Sequence, residues 1–335
     1  MKNLMLEGLG VVMKKFFLII FIALLVPCFS ACGKESNESD DPGLLLGFSQ
    51  IGSESAWRIG NTLDIEEAAE KSGISLMFEN ANQKQENQIA AIRKFIAYKV
   101  DVIAFSPIVE DGWDNVLEEA KDAGIPVILV DRDISTDKKD LTSCLIGADF
   151  YREGYMAGEY LIRKVDSLGL EHVNIVEITG TVNSTPMRQR QAGFMDAIAG
   201  DSRMTVIESI DGDFLKSRGA ENMRYLLETY GDTIDVVFSH NDEMTLGAIP
   251  EIEKAGFVPG KDMIIISIDG GQEAIDVLKA GKINCVVECT PKLGKLLMET
   301  ALKLKSGEAV KDVIHPEDQV FSDEQDTSQI APRGY

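Results

Sequence analysis

The chain has 335 residues, 44% of them hydrophobic and 26% charged, a balance that excludes a disordered or fibrous protein and leaves room for two lobes of ordinary domain size. Its formal charge is −22. So acidic a surface repels phosphate backbones, and nucleic acid is not an expected partner.

At the N-terminus, Lys14 and Lys15 precede an apolar run from Phe16 to Val26. Pro27 breaks that run, and Phe29-Ser30-Ala31-Cys32 follows. A basic segment, a short apolar segment and small residues before a cut predict a secretory signal over residues 1–31, with Met13 an alternative start. The run is shorter than the ~20 residues a bilayer-spanning helix needs. The four residues ending in Cys32 resemble a lipobox, which implies acylation of Cys32 and attachment to the membrane through that lipid alone. Residues 32–43 are polar and acidic and read as a tether. Downstream, Cys285 and Cys289 stand four apart in a strand-like segment, ~13 Å if extended, too far for a disulfide. With Cys144 they are expected to be buried free thiols. No histidine (His172, His240, His315) sits beside a cysteine, and neither a metal site nor a cofactor is expected.

From Leu44 onward, short apolar runs alternate with helix-period runs. The predicted strands are Leu44–Ser49, Ile74–Phe78, Val102–Ser106, Val127–Asp131 and Leu145–Ala148, then Asn174–Thr179, Thr205–Ile210, Val236–Ser239, Ile264–Ile268 and Ile283–Glu288. They are rich in Val, Ile and Leu with little alternation, as strands buried on both faces are. Helix periods cover Gln83–Tyr98, Asp111–Ala123 and Asp149–Val165, and Gly124-Ile125-Pro126 reads as a helix stop and strand entry. Such alternation predicts parallel sheets with helices on both faces. There is also an internal echo. The segment from Asp101 through Ala123-Gly124 to Asp131 is repeated about 135 residues later from Asp235 through Ala255-Gly256 to Asp269. Each copy puts an aspartate at the carboxyl end of a strand, where open α/β sheets bind ligands, and two facing lobes would aim both into one cleft.

Polar groups recur at these strand ends. After the first strand come Glu54, Trp57 and Arg58, a flat aromatic face flanked by groups that hydrogen-bond hydroxyls. Asp131-Arg132 offers a carboxylate and a planar guanidinium fork for vicinal hydroxyls. Arg188 and Arg190 are two apart on a helix, so only one is expected to reach the cleft. Asn241 and Asp269 end later strands. The chain carries no G-x-S-x-G, no H-E-x-x-H and no G-x-x-x-x-G-K-[ST], and Ser239, His240 and Asp242 alternate faces rather than converging. An enzyme is therefore not expected.

The runs Gly47–Arg58, Gln83–Gln88, Leu129–Arg132, Gly180–Val182, His240–Asp242 and Ser267–Gly270 resemble the type I periplasmic sugar-binding proteins, the ribose-binding-like family, and within it the galactofuranose binders. The resemblance covers residues 44–335. It implies two Rossmann-like lobes with parallel sheets, 44–146 with 289–318 and 147–288 with 319–335, joined by a three-segment hinge. It implies a monosaccharide clamped between them by Glu54, Trp57, Arg58, Asp131, Arg132, Asn241 and Asp269. The galactofuranose pattern adds Arg190 and the ribose pattern Arg188. Glu288 fits the former, whereas ribose binders place a Gln about where Cys289 stands. The Glu54-x-x-Trp57-Arg58 arrangement implies a furanose. The function implied is an exported lipoprotein that is monomeric and delivers sugar to the permease of an ABC transporter. A sensor handing the ligand-bound form to a chemoreceptor or sensor kinase is the alternative. The same fold serves LacI-type repressors, but those carry a helix-turn-helix where this chain carries an export signal.

Overall fold

The computed structural model describes residues 43–335. The signal expected over 1–31, Cys32 and all but the last residue of the tether lie outside the described residues.

Two six-stranded sheets form the frame. The first runs β11-β5-β4-β3-β1-β2, with β1 Leu45–Gln50, β2 Ser75–Asn80, β3 Val102–Phe105, β4 Val127–Val130, β5 Cys144–Ile146 and β11 Val313–Ile314. The second runs β12-β10-β9-β8-β6-β7, with β6 Val173–Thr179, β7 Met204–Asp211, β8 Val236–Ser239, β9 Ile264–Asp269, β10 Cys285–Glu288 and β12 Val320–Ser322. All pairings are parallel except β10 with β12. The central strands β3, β4, β8, β9 and β10 are buried at every residue, which is why their sequences run apolar without alternating. The edge strands β2 and β7 are only partly covered. The two sheets share one strand order with one switch point each, beside β1 and beside β6, so the repeated aspartates occupy equivalent places.

Helices α1 Ala56–Lys71, α2 Gln85–Tyr98, α3 Asp114–Asp122 and α9 Gly294–Lys305 flank the first sheet. Around the second lie α4 Phe150–Leu168, α5 Thr185–Ile198, α6 Lys216–Tyr230, α7 Asp242–Lys254 and α8 Gln272–Lys279. Two helices begin later than their periodicity predicts. Asn82 and Gln83 take positive φ (51° and 60°) and turn the chain before α2, and Gly112 (φ 89°) does so before α3. The chain passes between the sheets three times, after β5, after β10 and between β11 and β12. Thus α9 follows a strand of the second sheet yet packs Leu297, Met298 and Ala301 into the core of the first. The short strands β11 and β12 give no apolar run long enough to be read from sequence.

Each sheet has an apolar core on both faces. In the second lobe, α4 and α5 touch backbone to backbone: a Cβ added at Gly154 would stand 2.0 Å from the Arg190 carbonyl oxygen, and one at Gly193 2.0 Å from that of Tyr151. This approach sets Glu153 and Arg190 side by side. Gly193→Ala is expected to force the helices apart and cost about 3 kcal/mol, the upper end for overpacking. Urea unfolding measures it, and an unchanged midpoint would refute the close packing.

Candidate ligand-binding site

The carboxyl ends of the strands in both sheets face one cleft, whose walls stand close together and leave a free interior of about 30 Å³. From the first lobe it is lined by Glu54, Ser55, Trp57, Arg58, Asp131 and Arg132. From the second come Phe150, Pro186, Arg190, Phe214, Asn241 and Asp269, and Cys289 reaches in from the crossover after β10.

The first-lobe residues are positioned by their own helix start. Ser55 caps α1 by accepting the Arg58 amide (3.1 Å), which sets Trp57 and Arg58 on its first turn. Arg58 donates to Asp131 at 2.6 Å and to Glu54 at 3.2 Å. Beneath them, buried Gln50 and Ser106 take the remaining guanidinium contacts at 3.2 and 3.3 Å. Burial works against the Arg58 charge, but Asp131 and Glu54 outweigh it and hold its pKa above the ordinary value. Arg132 fares differently: burial, reinforced by the Arg58 charge, pushes its pKa down to about 10. Its Nε stands 3.8 Å from Asp131, outside hydrogen-bonding reach. Arg132 Nε and Glu54 Oε2 are buried without a hydrogen-bond partner, although buried polar atoms are normally paired.

In the second lobe, Arg190 donates to Glu153 (2.7 Å) and to the His240 carbonyl (2.6 Å) and stands 3.8 Å from Asp269. Burial opposes the Arg190 charge, yet Glu153 more than compensates and raises its pKa. Burial also drives the Asp269 carboxyl well above the usual carboxylate range, against the pull of Arg190. Asn241 caps α7, accepting the Met244 amide at 3.0 Å, and donates to the Phe214 carbonyl at 3.3 Å. Each cleft arginine lies over an aromatic ring: Arg58 over Trp57 (4.7 Å), Arg132 over Phe214 (5.4 Å) and Arg190 over Phe150 (5.2 Å). The stacking fixes the guanidinium planes. Both cleft aspartates have positive φ, 70° at Asp131 and 128° at Asp269. Such strain gathers at functional sites because the turn that aims the side chain requires it.

Eight of the residues singled out from sequence therefore meet in one cleft: Glu54, Trp57, Arg58, Asp131, Arg132, Arg190, Asn241 and Asp269. Two do not. Arg188 points away on the far side of α5 and pairs with Glu110 of the first lobe (2.8 Å), its side chain 62% exposed. Glu288 forms an ion pair with Arg333. Trp57 both lines the cleft and joins the second-lobe core, its Nε1 donating to the Cys289 carbonyl at 2.6 Å. The sequence reading missed Phe150 and Phe214. Phe150 was findable, since Asp149-Phe150 opens a helix after β5 as Asp131-Arg132 follows β4. Phe214 follows an edge strand in a turn of positive φ (59°), and its ring fills the space where Gly180 has no side chain: a Cβ there would stand 1.8 Å from it. Cys144, Cys285 and Cys289 are free and buried, and the described residues contain no cluster able to hold a metal ion.

Residues 46–309 match the periplasmic binding protein domain. The chain belongs to that family. Over 264 residues it is 41% identical to the galactofuranose-binding protein YtfQ of Escherichia coli strain K12, covering 78% of this chain and 82% of that protein. A Mycobacterium smegmatis protein solved in complex with β-D-fucofuranose superposes with a TM-score of 0.82 at 44% identity, covering 84% of this chain and 92% of that one. The binding component of the arabinose ABC transporter of Shewanella sp. ANA-3, bound to α- and β-L-arabinofuranose, superposes at 0.80 with 39% identity, covering 84% and 92%.

This placement separates the two arginines by experiment. Arg190→Lys keeps the charge but loses the fork, and is expected to weaken ligand binding tenfold or more, in line with ~1.5–3 kcal/mol for charged hydrogen bonds. Arg188→Ala removes an exposed pair of ~0.2–1 kcal/mol, so its calorimetric affinity should fall by less than about fivefold. The reverse order would place the wrong arginine in the cleft.

Proposed function

We propose that this chain is the extracytoplasmic receptor of an ABC importer, capturing a monosaccharide in its furanose form between its lobes and delivering it unchanged to a membrane permease. The observation that carries the reading is the cleft itself. Its first-lobe wall holds two carboxylates and two guanidiniums, Glu54 and Asp131 against Arg58 and Arg132. On the second, Arg190 pairs with Glu153 and stands 3.8 Å from Asp269. Guanidiniums and carboxyls interleaved in this way offer both donors and acceptors to neighbouring hydroxyls. The aromatic rings of Trp57, Phe150 and Phe214 suit the C–H surface of a small sugar ring. Glu54 Oε2 and Arg132 Nε are buried at its edge and suited to hydroxyls.

The furanose part rests on the three relatives above, whose ligands are galactofuranose, fucofuranose and arabinofuranose. The lobes, divided at 146/147, 288/289 and 318/319, would close by hinge motion at the three crossovers. The seam already carries contacts a closed form needs: Arg188 with Glu110, Thr185 Oγ1 with the Asp133 carbonyl (3.1 Å) and the Ala56 amide with Glu243 (3.2 Å). The protein would act as a monomer outside the cytoplasmic membrane, held there by a lipid on Cys32.

A thermal-shift screen of residues 43–335 against monosaccharides tests the ligand class, since binding to the native state raises Tm by mass action. Galactose or arabinose should raise Tm and ribose should not. A shift with ribose alone, or with no sugar, would overturn the reading. In cells fed a labelled fatty acid, the wild type should carry label and Cys32→Ser should not. Equal labelling would remove Cys32 as the anchor.

A further inference from the structure

We propose that Arg333, far from the cleft residues in sequence and absent from the cleft wall, is a positioning residue for ligand binding: it holds the turn that aims Asp269 into the cleft. Asp269 and Gly270 take successive positive φ values of 128° and 85°, and a non-glycine residue stays in such a conformation only when its surroundings over-determine it. Here the restraint comes from two sides. On the amide side, the Asp242 carboxylate accepts Gly270 N at 2.9 Å and Gly271 N at 2.8 Å, and Ser267 Oγ at 2.6 Å. On the carbonyl side, Arg333 Nε donates to Gly270 O at 3.1 Å.

The arginine is itself locked. It pairs with Glu288, which lies beside Asp269 in the β9–β10 register. It donates to Tyr335 Oη at 3.0 Å and lies 4.9 Å over the Phe321 ring. Its backbone amide donates to Gln272 Oε1 (2.8 Å), and the Gln272 amide returns a bond to the Tyr335 carbonyl (2.7 Å). A guanidinium is needed for this, because only a planar fork reaches a carbonyl, a carboxylate and a phenol at once. Glu288 thereby acts through Arg333 and not as a direct ligand contact. The Asp269 carbonyl accepts Cys289 N at 2.9 Å and Tyr335 Oη at 3.5 Å, but among the described residues Arg333 is the side chain that donates to the Gly270 carbonyl, and its loss frees that end of the turn and with it the aim of Asp269 toward Arg190.

This inference rests on the cleft between Asp131 and Asp269 being the sugar site. The test titrates the full chain calorimetrically with arabinose and galactose, then repeats it on Arg333→Ala, Arg333→Lys and Leu226→Ala. The last truncates a fully buried core residue of the same lobe, on the face packed against α7, as a control for lost stability alone. Arg333→Ala should lose tenfold or more in affinity while still unfolding cooperatively. Arg333→Lys, which keeps the Glu288 pair, should recover part of it. Leu226→Ala should lower Tm yet bind within twofold of wild type. Binding within twofold in Arg333→Ala, or an equal loss in Leu226→Ala at matched Tm, would overturn the proposal. Should Arg333→Ala fail to fold, Arg333→Lys decides alone, and wild-type affinity there would overturn it. A wild type that binds neither sugar would defeat the reading of the cleft first, and the positioning role with it.

Discussion

The architecture of the cleft depends on one pairing: the guanidiniums of Arg58 and Arg190, both withdrawn from water, each meet a carboxylate in their own lobe. Burying an unpaired charge is costly enough to unfold a domain or to discharge the group. Arg58 finds Asp131 and Glu54 within the first lobe, and Arg190 finds Glu153 within the second. Neither wall needs the other for neutrality, so the lobes can part and meet again without stranding a charge. Had the pairs been shared across the seam, opening would break buried ion pairs. The pair that does cross, Arg188 with Glu110, is largely exposed on the arginine side and can be exchanged for water at little cost.

The rest of the fold serves that arrangement. Parallel strands deliver their carboxyl ends to the seam, and helix starts place Arg58 on a first turn fixed by the Ser55 cap and Asn241 at the cap position itself. The backbone contact of α4 with α5 sets the Glu153–Arg190 spacing. Backbone strain at Asp131 and Asp269 turns both carboxylates inward. Aromatic rings then hold the guanidinium planes, leaving few torsions to be ordered when a ligand arrives, which favours affinity by preorganisation.

How much was legible in sequence follows from distance along the chain. The strands could be read because burial on both faces removes polar residues from them, and the repeat of Asp131 in Asp269 could be read because two sheets of like topology reuse one local pattern. The choice between Arg188 and Arg190 needed the helix phase, which the α4 contact fixes. The pairing of Glu288 with Arg333 was not legible, because that partner lies 45 residues downstream in a segment without periodicity. Phe214 was invisible for a related reason: its place is set by a positive φ and by the space above Gly180, neither of which composition or alternation encodes. The strands β11 and β12 are too short to show a pattern of their own, though they hold the crossovers in register.

The central claim is that this cleft of paired charges and aromatic rings selects a neutral sugar as its furanose ring. The most direct measurement is the 13C spectrum of galactose labelled at C1, recorded with excess protein and again with Asp131→Asn. The account predicts a bound anomeric signal at a furanose shift with the wild type and none with the variant. A bound signal at a pyranose shift, or one that survives in Asp131→Asn, would contradict it.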